Sequence, residues 1–329
     1  MSIYQSIKEV PVKESGFQEE LIPLLALLEG CNPCNQTYEI SGDCMVVSYF
    51  LRLNLLNFLK RFKLRMKVEI IGLPISLSEK GYWGPEALVE QLIQKRRGIK
   101  ILLNGNPGFT GGGRTLSTFV FDNAFSSFEE YLNALRSPYR RRVKKALSKG
   151  ENLLVRGFDR QAFSETHYRL YLSIMARTEN PLEVLPLEFF REYEAEFLEF
   201  IDKKTGGVIG FVQLKTMNHR LHFLFGGFEK QENEGRELYT NMLLAILKTG
   251  IDRKVKVIEF GQTAEASKLK LGCREVPKYM MVHHSNSFLN RIIQGLLPLL
   301  TYKPYPIQHH VFKGNPRAGI GEKNDHFFS

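Results

Sequence analysis

The sequence predicts an α/β protein, of the α+β kind, made of two tandem lobes in each of which a mixed sheet is flanked by helices. Three observations carry that expectation. Residues 197–284 read as a three-strand meander, a long apolar helix and two further strands. Residues 44–103 repeat the order loosely, with strands, a helix and a strand, which suggests an internal duplication. The composition, 43% hydrophobic and 24% charged over 329 residues, is that of an ordinary globular chain long enough for two sizeable cores.

Each element has a local reason. A first helix is expected near 17–28, then strands at 37–40, 44–51 and 66–71. Gly84-Pro85-Glu86 opens a helix, because glycine suits the cap and proline the first helical position, and Leu88, Leu92 and Ile93 give it an apolar stripe. A short buried strand at 99–103 precedes a glycine-rich segment, 104–113, which lacks the G-K-S/T ending of a phosphate loop and reads as a mobile loop. An alternating strand follows at 115–121. Pro138 divides the helical stretch 127–149, so that a second helix starts at Ser137-Pro138 with Tyr139, Val143, Ala146 and Leu147 on one face. Hairpin signals at 202–207 and 218–219 separate strands 197–201, 208–217 and 220–228. A helix over 235–249, a strand at 255–260, a helical stretch at 262–271 and a strand at 279–284 complete the pattern. A strand that returns after a helix can run parallel to the last meander strand, and if the two splay apart a cleft opens between them. The lobes are expected at 1–150, ending in a basic helix, and at 151–302, with a loose tail over 303–329.

The charge balance points to an anionic partner. Lys and Arg number 45 against 35 Asp and Glu, for a net charge of +10, and residues 1–150 hold 21 basic against 14 acidic. Two runs stand out: Arg136 to Lys149, with seven basic residues and no acidic one, and Lys60 to Lys67, with five in eight positions. The bland alternative for the first is a solvated helix face. Four cysteines are too few for a disulfide scaffold and no signal-peptide pattern precedes them, so a reducing, cytoplasmic setting is expected. Cys31-Asn32-Pro33-Cys34 has ligand-like spacing but no matching pair, and His283-His284 and His309-His310 are adjacent and face apart, so no metal site is expected. No run gives the ~20 apolar residues of a bilayer-spanning helix. Leu289, Ile292, Ile293, Leu296 and Leu297 do recur at helical spacing within 288–300. That segment is expected to pack on the second lobe, with an acyl-chain cover or a peripheral contact with anionic lipid as the sharper alternatives.

The order of elements over 197–284 resembles the GNAT superfamily of acyl-transferring enzymes, and the two-lobed chain resembles its Fem-like branch. The stretches carrying this are Thr118-Phe119-Val120-Phe121-Asp122, Ser127 to Leu132, Arg140 to Ala146, Ile258-Glu259-Phe260-Gly261 and Lys268-Leu269-Lys270-Leu271-Gly272. The resemblance implies tandem GNAT-like folds and N-acyl transfer from an activated ester or thioester to an amine acceptor by direct attack. It also implies a substrate-facing lysine among Lys268 and Lys270. Two residues apart on a helix these diverge by about 200°, and Lys268 is expected to be the one that enters the cleft. Coenzyme A users of the superfamily place a glycine-containing phosphate loop before the long helix. Here the matching segment is Gln231-Glu232-Asn233-Glu234-Gly235-Arg236, with one glycine and two glutamates. The helix start would still offer amides, with Gly235 and Arg236 beside them, but two carboxylates repel a pyrophosphate. Acyl-CoA is therefore not expected in its usual place. The remaining donors are an acyl-carrier protein, an aminoacyl-tRNA as in Fem enzymes, or coenzyme A held differently.

Such a site must bind the carbonyl, hold the amine and accept its proton. Gly226-Gly227 in the third meander strand suggests a bulge or a close backbone approach that aims an amide at developing oxyanion charge. Tyr239, Tyr279, His222, Glu229 and Glu259 lie on elements that border the expected cleft, where tyrosine serves the leaving group and a carboxylate or histidine serves the amine. Gln262 and Thr263, at the end of the fifth strand, and Arg141 and Lys145, on the basic helix, complete the donor-binding candidates. Two other readings stay open: an aminoacyl-tRNA-dependent transferase of the Fem type, and a non-catalytic lobe that holds an anionic ligand.

Overall fold

The computed structural model describes residues 2–11, 16–32, 34–54, 65–75, 77–177 and 184–314. The chain forms two units: Met1–Ser117 with Asn180–Tyr193 and Pro277–Pro304, and Thr118–Glu179 with Glu194–Val276 and Tyr305–Ser329. They interleave in sequence instead of parting near residue 150.

In the first unit β1 (Ser2–Tyr4), β2 (Thr37–Ser41), β3 (Cys44–Asn54) and β4 (Arg65–Ile71) form successive antiparallel pairs, with β5 (Tyr82–Trp83) against β3. Helix α1 is Ile22–Cys31, and α2 (Glu86–Lys95) leads to β6 (Ile99–Gly105), which runs parallel to β4. On α2 the buried residues are Val89, Leu92 and Ile93, while Leu88 of the expected stripe is exposed. The glycine-rich segment is shorter than a loop over 104–113: β6 continues to Gly105 and β7 (Gly112–Asp122) begins at Gly112. Most of the basic run 60–67, the proline of the Cys31–Cys34 motif and everything beyond Gly314 lie outside the described residues.

The second unit begins inside β7. It contains α3 (Phe128–Ala134), α4 (Ser137–Lys149), β8 (Leu153–Phe158), α5 (Glu165–Met175), β9 (Glu196–Asp202), β10 (Val208–Met217), β11 (Arg220–Phe228), α7 (Lys230–Arg236), α8 (Leu238–Asp252), β12 (Val257–Glu259) and α9 (Glu265–Leu269). Helix α6 (Leu187–Glu192), most of β13 (Arg274–His284) and α10 (Ser287–Leu300) belong to the first unit. Strands β8 to β11 are antiparallel, and β12 is parallel to β11, as the returning-strand argument requires. Both units thus repeat an antiparallel run, a helix and a parallel strand. Two strands explain the interleaving: β7, which follows β6 in sequence, pairs with β12, and β13, which follows β12, pairs with β6.

Helix α8 anchors the second core. Leu238, Met242, Leu243, Leu244, Ile246, Leu247 and Ile251 are buried against Phe200, Val212, Leu221 and Ile258, each contributing roughly 1.5–3 kcal/mol by leaving water. The tail begins later than residue 303: Val311 is buried, and Phe312 packs among Phe121, Phe125 and Tyr131. Gly272 accommodates that ring, since a Cβ there would lie 2.4 Å from Phe312 Cζ.

The expected bulge is displaced. Gln213 pairs with Phe225 and Leu214 with Phe223, which leaves Leu224 as the extra residue, whereas Gly226 and Gly227 pair regularly with Val212 and Phe211. Gly227 answers to helix packing, because a Cβ there would sit 2.5 Å from the Leu170 carbonyl carbon and 2.6 Å from the Tyr171 nitrogen of α5. Neither backbone atom can swing aside as a side chain would. Gly227→Ala should destabilise the protein by about 1–3 kcal/mol, read as a lower denaturant midpoint in equilibrium unfolding.

Candidate functional site

Strands β11 and β12 pair for three residues only, Arg220–His222 against Val257–Glu259. Beyond them β11 stays with β10, while Phe260 N donates to Phe119 O at 2.9 Å and Phe119 N donates to Gly261 O at 3.1 Å. The parallel strands therefore splay, and the last pair before the fork is His222 and Glu259. Both side chains are buried. His222 Nδ1 lies 3.5 Å from Glu259 Oε2, and the Thr118 hydroxyl donates to Glu259 Oε1 at 3.4 Å. A carboxylate so placed orients the imidazole.

The chain leaves β12 through a strained loop. Thr263 and Ala264 both adopt left-handed φ, 62° and 52°, which costs of order 1–3 kcal/mol each. Lys268 on α9 holds this loop from beneath: its Nζ donates to Gln262 O at 2.6 Å and to Gly261 O at 3.1 Å, and stands 5.7 Å from the Phe119 ring centre. Only 1% of Lys268 is exposed, and burial lowers its pKa to about 8. The lysine expected to enter the cleft is thus turned inward, and Lys270 is the one that lines open space.

That space is a cavity of about 890 Å³ on the second unit. Arg141, Arg142, Lys145 and Lys149 enter it from α4, and Lys270 from the residue that follows α9, with Glu234 and Glu237 also in the lining. Lys149 Nζ lies 3.5 Å from Glu237, so the other four cations dominate the field. Helix α4 can present them because Val143 and Ala146 bury the opposite face. Tyr239 also lines the cavity, and burial raises its pKa far enough to keep the phenol protonated. His309 comes from the segment expected to be loose, docked by a 3.1 Å bond between Tyr139 Oη and His309 Nδ1. Burial, with Lys270 and Arg142 nearby, disfavours its charged form.

The start of α8 differs from a phosphate loop in a specific way. Glu237 adopts φ 47°, which separates α7 from α8, and the Asn233 side chain accepts from Tyr239 N at 2.9 Å. An amide expected to be open to a ligand is capped by the chain itself. Arg236 pairs with Asp202, at 2.9 Å from Oδ1 and 3.0 Å from Oδ2, and with Glu232 at 2.9 Å. Its hydrogen bonds hold the Asp202 carboxyl well below the usual range. Gly235 is exposed on α7, Glu229 caps that helix with its amide on Ile209 O, and Tyr279 belongs to the first unit, where it pairs with Gly105. The arrangement thus brings together Arg141, Lys145, Tyr239 and Lys270 around the cavity. Asn233 and His309 had no visible signal, because one acts as a local cap and the other arrives from a distant segment.

No protein-family model matches the sequence, and comparison with curated proteins gives no match. Solved structures do align. The C-terminal domain (DUF2156) of a putative lysylphosphatidylglycerol synthetase from Agrobacterium fabrum superposes with a TM-score of 0.52 and 10% identity, over 85% of this chain and 90% of that one. L-PGS from Bacillus licheniformis gives 0.51 and 12%, over 89% and 100%. FemX gives 0.48 and 12%, over 79% and 90%. The first two likenesses show the fold.

Lys268 supplies a test of the loop. Its folded pKa lies below the usual ~10.4 of lysine, so below pH 8 burying the charge costs stability. Between pH 8 and about 10.5 the unfolded chain binds the extra proton, and stability must rise with pH. Relative to Lys268→Met, the parent should gain up to about 3 kcal/mol across that window in denaturant unfolding, at roughly 1.4 kcal/mol per unit. A flat difference would show that the ammonium is not held as described.

Proposed function

We propose that this protein is an acyl-transferring enzyme that passes an acyl or aminoacyl group from a phosphate-rich carrier to an amine at the fork of its second unit. The observation that carries the reading is the cationic cavity on the same unit as the buried His222–Glu259 pair. The capped amide at Tyr239 favours charged tRNA over coenzyme A as the carrier, because α4, and not the α8 start, offers the free positive charge. The name of the aligned Agrobacterium fabrum protein, a putative lysylphosphatidylglycerol synthetase, agrees with an aminoacyl donor.

The step balances without a covalent enzyme intermediate. The amine nitrogen attacks the ester carbonyl, the new C–N bond forms, and the ester C–O bond breaks. His222, steadied by Glu259, takes the amine proton and gives it to the leaving oxygen as the C–O bond breaks, so the imidazole ends as it began. Incubating the protein separately with charged tRNA, acyl-CoA and acyl-carrier protein, with mass spectrometry of products, tests the assignment. Product from charged tRNA alone is expected. Product from acyl-CoA alone would overturn the carrier, and binding without product in all three arms would leave an anion-binding lobe.

Two variant sets sharpen this. His222→Gln and Glu259→Gln should lower kcat by about 10²–10⁴-fold and about tenfold respectively, with KM for the carrier little changed, in steady-state assays. Arg141→Glu with Lys145→Glu should weaken tRNA binding at least tenfold and make its salt dependence shallower, as filter binding across a salt series would show. An unchanged slope would return α4 to a solvated face.

A further inference from the structure

Helix α10 reverses the usual arrangement of a surface helix. Its polar side chains turn toward the protein: Asn290 accepts from His284 N at 2.9 Å, and Gln294 donates to Val282 O at 2.7 Å. Leu297 is buried and Ile293 packs beside it. At about 100° per residue, Phe288, Leu299, Ile292, Leu296, Leu289 and Leu300 then fall within one arc of about 120°, next to the buried stripe. All six are exposed, Phe288 at 70% and Leu299 at 77%. They make up six of the fifteen large exposed apolar side chains among the described residues, gathered on 14 positions, so this is a patch and not scatter.

The charge around the patch has one sign. Residues 277–304 contain no Asp or Glu, and Lys278, Arg291 and Lys303 are their only ionised side chains apart from histidine. Arg291 borders the apolar arc, and Lys303 follows the helix end; both are exposed. A second copy of this chain fits that border poorly, since a two-fold contact through α10 would bring like charges together. An anionic bilayer surface fits it well: the apolar arc enters the headgroup boundary while arginine and lysine reach lipid phosphates. At about 21 Å the helix is too short to cross a ~30 Å hydrocarbon core, and none of the described helices is long and apolar enough to do so.

We propose that α10 is an interfacial helix that docks this protein on the surface of an anionic bilayer. The inference stands on α10 alone and is independent of the donor. Sedimentation of the full chain with phosphatidylcholine vesicles, with and without phosphatidylglycerol, tests it. The parent should pellet with the anionic vesicles and not with pure phosphatidylcholine. Phe288→Ser with Leu299→Ser should reduce the bound fraction at least tenfold, with an unchanged thermal melt because both side chains are exposed. Arg291→Glu should weaken the preference for phosphatidylglycerol, and Arg141→Glu with Lys145→Glu, which alters α4, should leave vesicle binding intact. Absence of anionic-vesicle binding, or binding that survives the serine pair, would overturn the proposal. A concentration-dependent dimer in analytical ultracentrifugation that the serine pair abolishes, without vesicle binding, would assign the patch to a second copy instead.

Discussion

The bonds between Phe119 and the Phe260–Gly261 backbone draw β12 away from β11, and the fork of the second unit depends on that displacement. Had the parallel pairing continued past Glu259, the strands would close and no fork would follow His222. The competing strand, β7, is antiparallel to β12 and supplies Thr118 to Glu259 at the same point. One set of backbone bonds therefore opens the fork and orients the carboxylate in it. Lys268 extends the effect, because its ammonium ties down the two carbonyls that follow, where Thr263 and Ala264 hold unfavourable φ. Burying that charge costs stability, which its bonds to the two carbonyls offset in part.

The charge of the cavity has a simple structural origin. Helix α4 needs only Val143 and Ala146 for docking, so most of its circumference is available for arginine and lysine. Asn241 fixes the end of that helix by donating to Ala146 O at 2.8 Å, which ties the basic helix to α8. Like charges on adjacent turns repel one another, and Glu237 relieves only Lys149 directly. Glu234 also lines the cavity, so two carboxylates stand against five cations there and the net field is positive.

Legibility in the sequence followed the range of the interactions. The meander, its turns and the parallel return were readable because alternation, hairpin residues and an apolar helix are local signals. The basic cavity wall was readable as a run of residues. Three things were not. The bulge falls at Leu224, since pairing across β10 decides register and the two glycines served helix approach and ordinary pairing. Lys268 is buried and Lys270 lines the cavity, and helical geometry says that two side chains diverge but not which one faces a core. The α8 start looked open to ligands, and a single side-chain cap from Asn233 changes that.

The exchange of strands explains why a division of the chain by sequence misplaces its chemistry. Helix α4 precedes residue 150, yet it packs in the second unit, and its cations face residues from α7, α8 and α9. The first unit, in turn, takes strand β13 and helix α10 from beyond residue 277. The antiparallel neighbour of each parallel strand comes from sequence lying outside that unit's own meander. Loop-closure entropy for such long connections grows only slowly with length, so the exchange costs little in stability, while it delays the pairing of β6 with β13 and of β12 with β7 until distant segments have met. Assembly of the His222–Glu259 pair beside Thr118 is consequently coupled to β7, more than a hundred residues earlier in the chain.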